Sequence, residues 1–295
     1  MIDLSHVPEI PGLSVFLPQG TSTDSWQIWN KPRGFVMVSI YAIGPGGGGA
    51  SGATGANFGG GGGGGSGAVS RLTIPIFMLP DSLYIQVSPG GSGGAPVSNT
   101  TGNAGNVTYA PTATVVSMAP STTAQYLYLE ANAGSGGAYT AGGAGGTIAS
   151  ARPFALLGSF LSIAGNAGAT APTNSASGNG ITQSTSSQIY GGASGAGGAG
   201  SSGGSISGLA GTPFVISSGA RPLNNGFSWA TIFPLKIYGG CGGGASAVTG
   251  VNGIGGGAGS AWGAGGGGGG GSLVAANSSG RGGDGGPGVV IIQCW

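Results

Sequence analysis

GPGGGGASGATGANFGGGGGGGSG, residues 44–67, decides how this chain folds, because glycine nearly excludes every other residue from it. Glycine-rich tracts recur in diluted form at 134–146, 191–211, 239–256 and 263–271, and glycine supplies 73 of the 295 residues. Ordering a glycine costs more backbone freedom than ordering any other residue, by roughly 0.5–1 kcal/mol relative to alanine in regular structure. Such tracts either stay unfolded as filler or pack many backbones together as a lattice. Composition favours the lattice: disorder goes with low hydrophobicity and high net charge, whereas this chain is 39% hydrophobic with a formal charge of +1. It carries only seven basic and six acidic residues, far below the roughly 25% of charged residues in an ordinary soluble chain. So neutral a surface tends to self-associate, which points to a component of a solid assembly.

Collagen is excluded, since it needs glycine at every third position and abundant proline, whereas 59–65 is an unbroken glycine run and there are 17 prolines. The remaining ordered solution is a bundle of left-handed threefold helices with polyproline II geometry. Such helices have no internal hydrogen bonds, so their N–H and C=O groups must bond to neighbours. At a rise of about 3.1 Å per residue, the seven glycines 59–65 would span roughly 22 Å. Between the tracts lie strand-like segments: 26–30, 35–43, 71–77, 83–87, 114–118, 125–129, 214–217, 232–238 and 289–295, rich in β-branched and aromatic residues. Helical periodicity is nearly absent. The expected fold is all-β, a jelly-roll-like β-sandwich carrying long glycine-rich loops or polyglycine II helices.

An internal repeat supports a built architecture. IPIFMLPDSLYIQVSPGG (74–91) lies without gaps against RPFALLGSFLSIAGNAGA (152–169), matching Pro75 with Pro153, Leu79 with Leu157, Leu83 with Leu161 and Ile85 with Ile163. A looser grammar of strand, glycine tract with one embedded aromatic, more glycine and another strand occurs about three times. The chain accordingly divides into an N-terminal arm (1–25), a sandwich unit with the first tract (26–123), a second glycine-rich unit (124–228) and a C-terminal unit with a closing strand (229–295).

Residues for chemistry are sparse. His6 is the sole histidine, so neither a His-based triad nor a His cluster can form within one chain. The acids Asp3, Glu9, Asp24, Asp81, Glu130 and Asp284 are scattered, leaving only a fold-made pair such as Asp81 with Glu130 for two-carboxylate catalysis. Gly-x-Ser-x-Gly around Ser92 and Ser202 arises by chance at this glycine content and precedes no apparent helix. Phosphate-binding glycine motifs lack their strand–turn–helix setting, and the basic residues form no cluster for nucleic acid. No catalytic residue, metal site or cofactor is expected. Cys241 and Cys294 do not make a disulfide framework, and free thiols are expected. The start, MIDLSHVPEIPGLSVFLPQG, has no basic n-region or uninterrupted apolar stretch, so it does not read as a secretory signal. No run approaches a membrane-spanning helix.

A strand followed by GPGGGG, glycine tracts with isolated aromatics, and the ending GGDGGPGVVIIQCW resemble the glycine-rich domains of bacteriophage virion proteins. The tail-fibre and receptor-binding adhesins are the nearest group. That resemblance covers about 35–95 and 229–295 and, loosely, the middle. It implies a non-enzymatic virion protein, assembled in the host cytoplasm, with other virion proteins and copies of itself, a trimer by analogy, as partners. It also implies a host surface glycan or outer-membrane protein as receptor, without nucleic acid or membrane insertion. The proline-rich N-terminal arm and strand-rich first unit depart from those adhesins.

For recognition, the candidate receptor-binding residues are the aromatics embedded in glycine: Phe58, Tyr139 and Trp262. Aromatics offer large rigid contact area at low entropic cost; the alternative is that each folds back to pin its tract, a reading as good as contact for Phe58 and Tyr139, whereas Trp262 leans toward contact. An adhesin would gather the three at one exposed end. The alternative is a capsid or tail decoration, spike or shell protein, whose tracts would pack between subunits. A polyglycine II ice-binding protein, the minor alternative, would need a flat regular face.

Overall fold

The structure, a computed structural model, describes residues 12–20, 25–55, 59–98, 113–139, 141–147, 158–171, 252–253, 255–259, 262–272 and 276–295. Among them it contains nine strands: β1 (Leu13–Phe16), β2 (Gln27–Asn30), β3 (Met37–Ile43), β4 (Val69–Pro75), β5 (Ser82–Gln86), β6 (Ala113–Ser117), β7 (Leu127–Asn132), β8 (Ser159–Ile163) and β9 (Val289–Cys294). They form a five-stranded sheet in the order β1-β9-β3-β4-β8 and a four-stranded sheet in the order β2-β5-β6-β7. All pairings are antiparallel.

The inner faces of the sheets share one core, which makes the fold an all-β sandwich. On β3, Val38, Ile40 and Ala42 point inward, beside Leu72 and Ile74 of β4 and Val290 and Ile292 of β9. Against them pack Leu83, Ile85, Val116 and Leu129 of the other sheet. The alternation on β3 follows the two-residue period of a strand. Its other face carries Ser39, Tyr41 and Ile43. There the Arg71 guanidinium lies 5.0 Å from the Tyr41 ring centroid, and its Nε donates to Ser39 Oγ at 3.3 Å.

Two strands differ from the sequence expectation. β1 lies inside what reads as an N-terminal arm, because Leu13–Phe16 pairs along Gln293–Val290 at the sheet edge. β8 follows the repeat match but joins the opposite sheet from its counterpart β5. The segments 214–217 and 232–238 and the thiol of Cys241 lie outside the described residues. Cys294 is a buried free thiol. Strands from all three glycine-bearing units interleave in the sandwich: β9, from the last unit, sits between β1 and β3.

The glycine tracts continue the strands out of one end of the sandwich as threefold helices. Residues 44–55, 88–98, 133–139, 164–171 and 263–272 run outward; 59–68, 141–147, 252–253 with 255–259, and 276–288 run back. Their hydrogen bonds repeat every three residues. Gly44, Gly47, Ala50 and Ala53 donate to the carbonyls of Ala68, Gly65, Gly62 and Gly59, while Gly46, Gly49 and Gly52 donate to Gly286, Gly283 and Gly280. This step of three is the signature of polyproline II geometry, with hydrogen bonds made between helices. Among the described residues, Gly55 (φ 70°) and Gly263 (φ 73°), both at turns, are the tract glycines with positive φ. Elsewhere in the tracts glycine is required by close approach: a Cβ on Gly46 would coincide with the carbonyl of Ala264, and one on Gly285 with the carbonyl of Gly46.

Two prolines fit because of this threefold row structure. Pro45 has no N–H to give, and its carbonyl accepts from Gly134 while the neighbouring rows of its helix donate. Pro287 falls in the row of residues 278, 281, 284 and 287, whose carbonyls accept from Gly253, Gly256, Gly259 and Gly263.

Candidate functional site

The bundle has two ends of different character. At its base the helices emerge from the strands at Gly44, Ala68, Asn132 and Gly288. At the far tip, roughly 34 Å away for the eleven steps from Gly44 to Gly55, the chain reverses. Ala53 donates to Gly59, Gly55 donates to Ser272, and Ser272 donates to Ala53.

Polar side chains tie the tip together. Ser278 N–H donates to Asn252 Oδ1 at 2.8 Å while Gly253 N–H donates to the Ser278 carbonyl at 2.9 Å, a reciprocal clasp between two helices. Val97 N–H donates to Ser279 Oγ at 3.0 Å, and Ser279 N–H returns a bond to the Val97 carbonyl at 2.9 Å. Ser98 and Ser278 place their hydroxyls 3.4 Å apart at the exposed surface, and Asn277 Nδ2 donates to Ser272 Oγ at 3.3 Å. Lower on the bundle, Ser66 Oγ accepts from Asn166 N–H at 2.8 Å, and Asp284 Oδ1 accepts from Gly93 N–H at 2.7 Å and from Arg281 Nη2 at 2.6 Å. Each hydroxyl or carboxylate thus replaces a lattice carbonyl.

The three embedded aromatics do not share one end. Phe58 itself lies outside the described residues, but its neighbour Gly59 is at the tip. Tyr139 is also near the tip: it bridges Gly61, and its hydroxyl is hydrogen-bonded to the Gly59 backbone. Burial pushes the phenol above its ordinary value, and the Gly59 bond works in the opposite direction. Trp262 is at the base, where it packs half-buried against Ile43, Val69, Ala264 and Val289 in a small core between sandwich and bundle. The nine steps from Gly263 to Ser272 separate it from the tip by about 28 Å. In its described position Trp262 is an anchor.

Asp81 and Glu130 are not brought together. Glu130 and Gln86 both pair with Val115, and Asp81 lies five residues back along β5, about 17 Å at strand rise. Among the described residues no group of three His, Cys, Asp and Glu converges, and no helix is long and apolar enough to cross a membrane.

A feature not drawn from the sequence is a regular side face. Residues 141–147 (AGGAGGT) and 164–170 (AGNAGAT) form adjacent antiparallel helices, joined by Gly165 and Gly168 donating to Gly146 and Gly143. Every third residue of each is exposed: Ala141, Ala144 and Thr147 beside Thr170, Ala167 and Ala164. The period-three small-residue pattern was the available signal.

A sandwich extended by a polyglycine II bundle defines a glycine-rich structural domain. The chain belongs to the glycine-rich domain family, whose match covers residues 21–295. Among curated proteins none matches the sequence.

Proposed function

We propose that this is a non-enzymatic structural protein of a tailed-bacteriophage virion, a tail-fibre or adhesin component that meets the host surface with the tip of its glycine bundle. The observation that carries this reading is the polarity of the molecule. The hydrogen-bonded side chains of Asn252, Ser272, Asn277, Ser278 and Ser279 gather at one end, whereas Gly12 and the last strand meet at the other through Cys294 N–H donating to Gly12 O. On this reading the polar end recognises and the opposite end of the sandwich attaches. A rigid lattice holding Asn252, Ser278 and Ser98 also suits a polar receptor such as a surface glycan.

The capsid or decoration reading would have the tracts pack between subunits. Against it, the central helices 44–55 and 59–68 are already buried by other helices of the same chain. The ice-binding reading has one observation in its favour, the grid of Ala141, Ala144, Thr147, Ala164, Ala167 and Thr170. A thermal-hysteresis measurement on the purified chain that gave zero would dispose of it.

The adhesin reading is tested by the binding of labelled full-length protein to intact host bacteria, beside a tip variant, Ser98→Ala with Ser278→Ala. Saturable binding that the folded variant loses is expected. Absence of binding by the folded native protein would end the reading.

A further inference from the structure

We propose that Asn252–Gly253 is a latched self-modification site at the bundle tip: the Asn252 carboxamide converts to a carboxylate by hydrolysis, and the clasp with Ser278 holds that reaction shut until the outer helix opens. The inference is independent of what the tip binds. Among the described residues, Asn30, Asn132, Asn166 and Asn277 are followed by Lys31, Ala133, Ala167 and Ser278, whereas Asn252 is followed by glycine. Glycine has no Cβ to keep its backbone nitrogen away from the preceding carboxamide. Asn252 is also exposed, so water reaches it and ammonia has a way out.

The reaction needs only the chain and water. Gly253 N gives up its proton to solvent, and its electron pair attacks Asn252 Cγ. As the N–Cγ bond forms, the Cγ–Nδ2 bond breaks, and the leaving nitrogen takes up a proton and departs as ammonia. Water then opens the resulting five-membered imide. Addition at Cγ gives aspartate. Addition at the main-chain carbonyl carbon gives isoaspartate, whose backbone runs through Cβ and Cγ and is one methylene longer.

In the closed structure both reacting groups are engaged elsewhere. Asn252 Oδ1 accepts from Ser278 N–H at 2.8 Å, and Gly253 N–H, the proton that must leave, donates to the Ser278 carbonyl at 2.9 Å. Gly253 has no room to swing either, because a Cβ on it would collide with the Gly270 carbonyl and the Gly280 amide, both backbone. Two hydrogen bonds and a filled lattice position oppose ring closure, so conversion runs through local opening. The same crowding makes the change one-way. The extra methylene of isoaspartate has no place in the lattice, and it shifts the rungs below, where Gly256 donates to the Arg281 carbonyl at 2.8 Å and Gly259 to that of Asp284 at 2.7 Å, out of their three-residue step.

Peptide mass mapping of the full chain, incubated at mildly alkaline pH with and without denaturant, tests this. Asn179–Gly180 and Asn225–Gly226 serve as references in the denatured chain. There Asn252 should convert alongside them, and in the native chain at least about tenfold more slowly, the effect of two hydrogen bonds. Ser278→Pro suits the helix geometry, removes the N–H that serves Asn252 Oδ1 and leaves the carbonyl in place. It should speed native conversion roughly fivefold. Equal rates in native and denatured chains overturn the latch, and a denatured chain in which the references convert but Asn252 does not overturns the site. Should Ser278→Pro misfold, the native chain decides: urea below the unfolding transition must speed conversion in step with hydrogen exchange at Gly253, and a rate that ignores that opening overturns the proposal. A seventh acid against seven basic residues takes the formal charge from +1 to zero, so ion exchange separates the product. Its isoaspartate fraction should lose exchange protection at Gly256 and Gly259, and unchanged protection there refutes the one-way step.

Discussion

Gly49 donates its N–H to the carbonyl of Gly283 at 2.8 Å, and its own carbonyl occupies the place where a Cβ on Gly282 would have to stand. One residue is thus hydrogen-bonded to its neighbour helix and sterically locked to it. The lattice has no slack at this crossing because the obstructing atoms are backbone. Gly282→Ala is therefore expected to destabilise by about 3 kcal/mol or more, at or above the usual overpacking range. Ala167→Ser, at an exposed lattice position, should stay within about 0.5 kcal/mol. Denaturant unfolding of the two variants beside the native chain measures both, and equal midpoints would mean that the helices slide apart at little cost.

Trp262 holds the base of the bundle to the sandwich through Ile43, Val69 and Val289. Fully buried aromatics cost about 3–5 kcal/mol when cut to alanine, and this one is half-buried, so Trp262→Ala should cost about 2 kcal/mol. The loss should be local. Hydrogen exchange should accelerate at Gly263 and Gly67, which bond across the base, while Gly253 and Ser279 at the tip keep their protection. Binding to cells should persist in this variant. A Trp262→Ala protein that stays stable but loses binding would return Trp262 to the recognition surface.

Much of this fold was legible in the sequence, and the limits were physical. β3, β4, β5, β6, β7 and β9 lie within three residues of their expected positions, because β-branched runs bounded by glycine and proline report local structure directly. The matched pair Leu83 and Leu161 shows where local reading stops. Both belong to a strand that feeds a glycine helix, yet Leu83 is in the core and Leu161 is exposed on an edge strand. Only long-range pairing decides which sheet a strand joins. Trp262 and Tyr139 show the same limit: a glycine tract does not say whether its embedded aromatic stands at the tip or the base. That depends on the chain direction in the lattice and on the turn at Gly263. β1 was missed because four residues give too short a pattern, and its pairing with β9 spans almost the whole chain.

Cys294, Tyr128 and Tyr139 are all held above their ordinary ionisation values by burial. Each is neutral when protonated, so each contributes stability that is fully present below its unfolded value and lost as pH rises through its folded value. The thiol leads, from an ordinary value of 9.0, and the phenols follow from 10.0. The thermal midpoint should stay level from neutral pH to about pH 9 and then fall. Cys294→Ala, although less stable throughout, should delay the fall to about pH 10. An onset that the substitution does not move would assign the alkaline loss to other groups.

Thr114 stands fully buried on β6 with its hydroxyl unpartnered, beside Gly288, where the returning glycine helix enters β9. An unmet buried hydroxyl costs roughly 1–3 kcal/mol of desolvation. Thr114→Val keeps the branched shape and the strand preference while removing that polar atom, so the variant should be more stable by about 1 kcal/mol. Thr54, buried and unpartnered near the tip, offers an independent second site. The two lie at opposite ends of the first glycine helix, so their gains should add. Denaturant midpoints of the single and double variants measure this, and a destabilised Thr114→Val would show that its hydroxyl bonds to solvent or to a group that moves in to meet it.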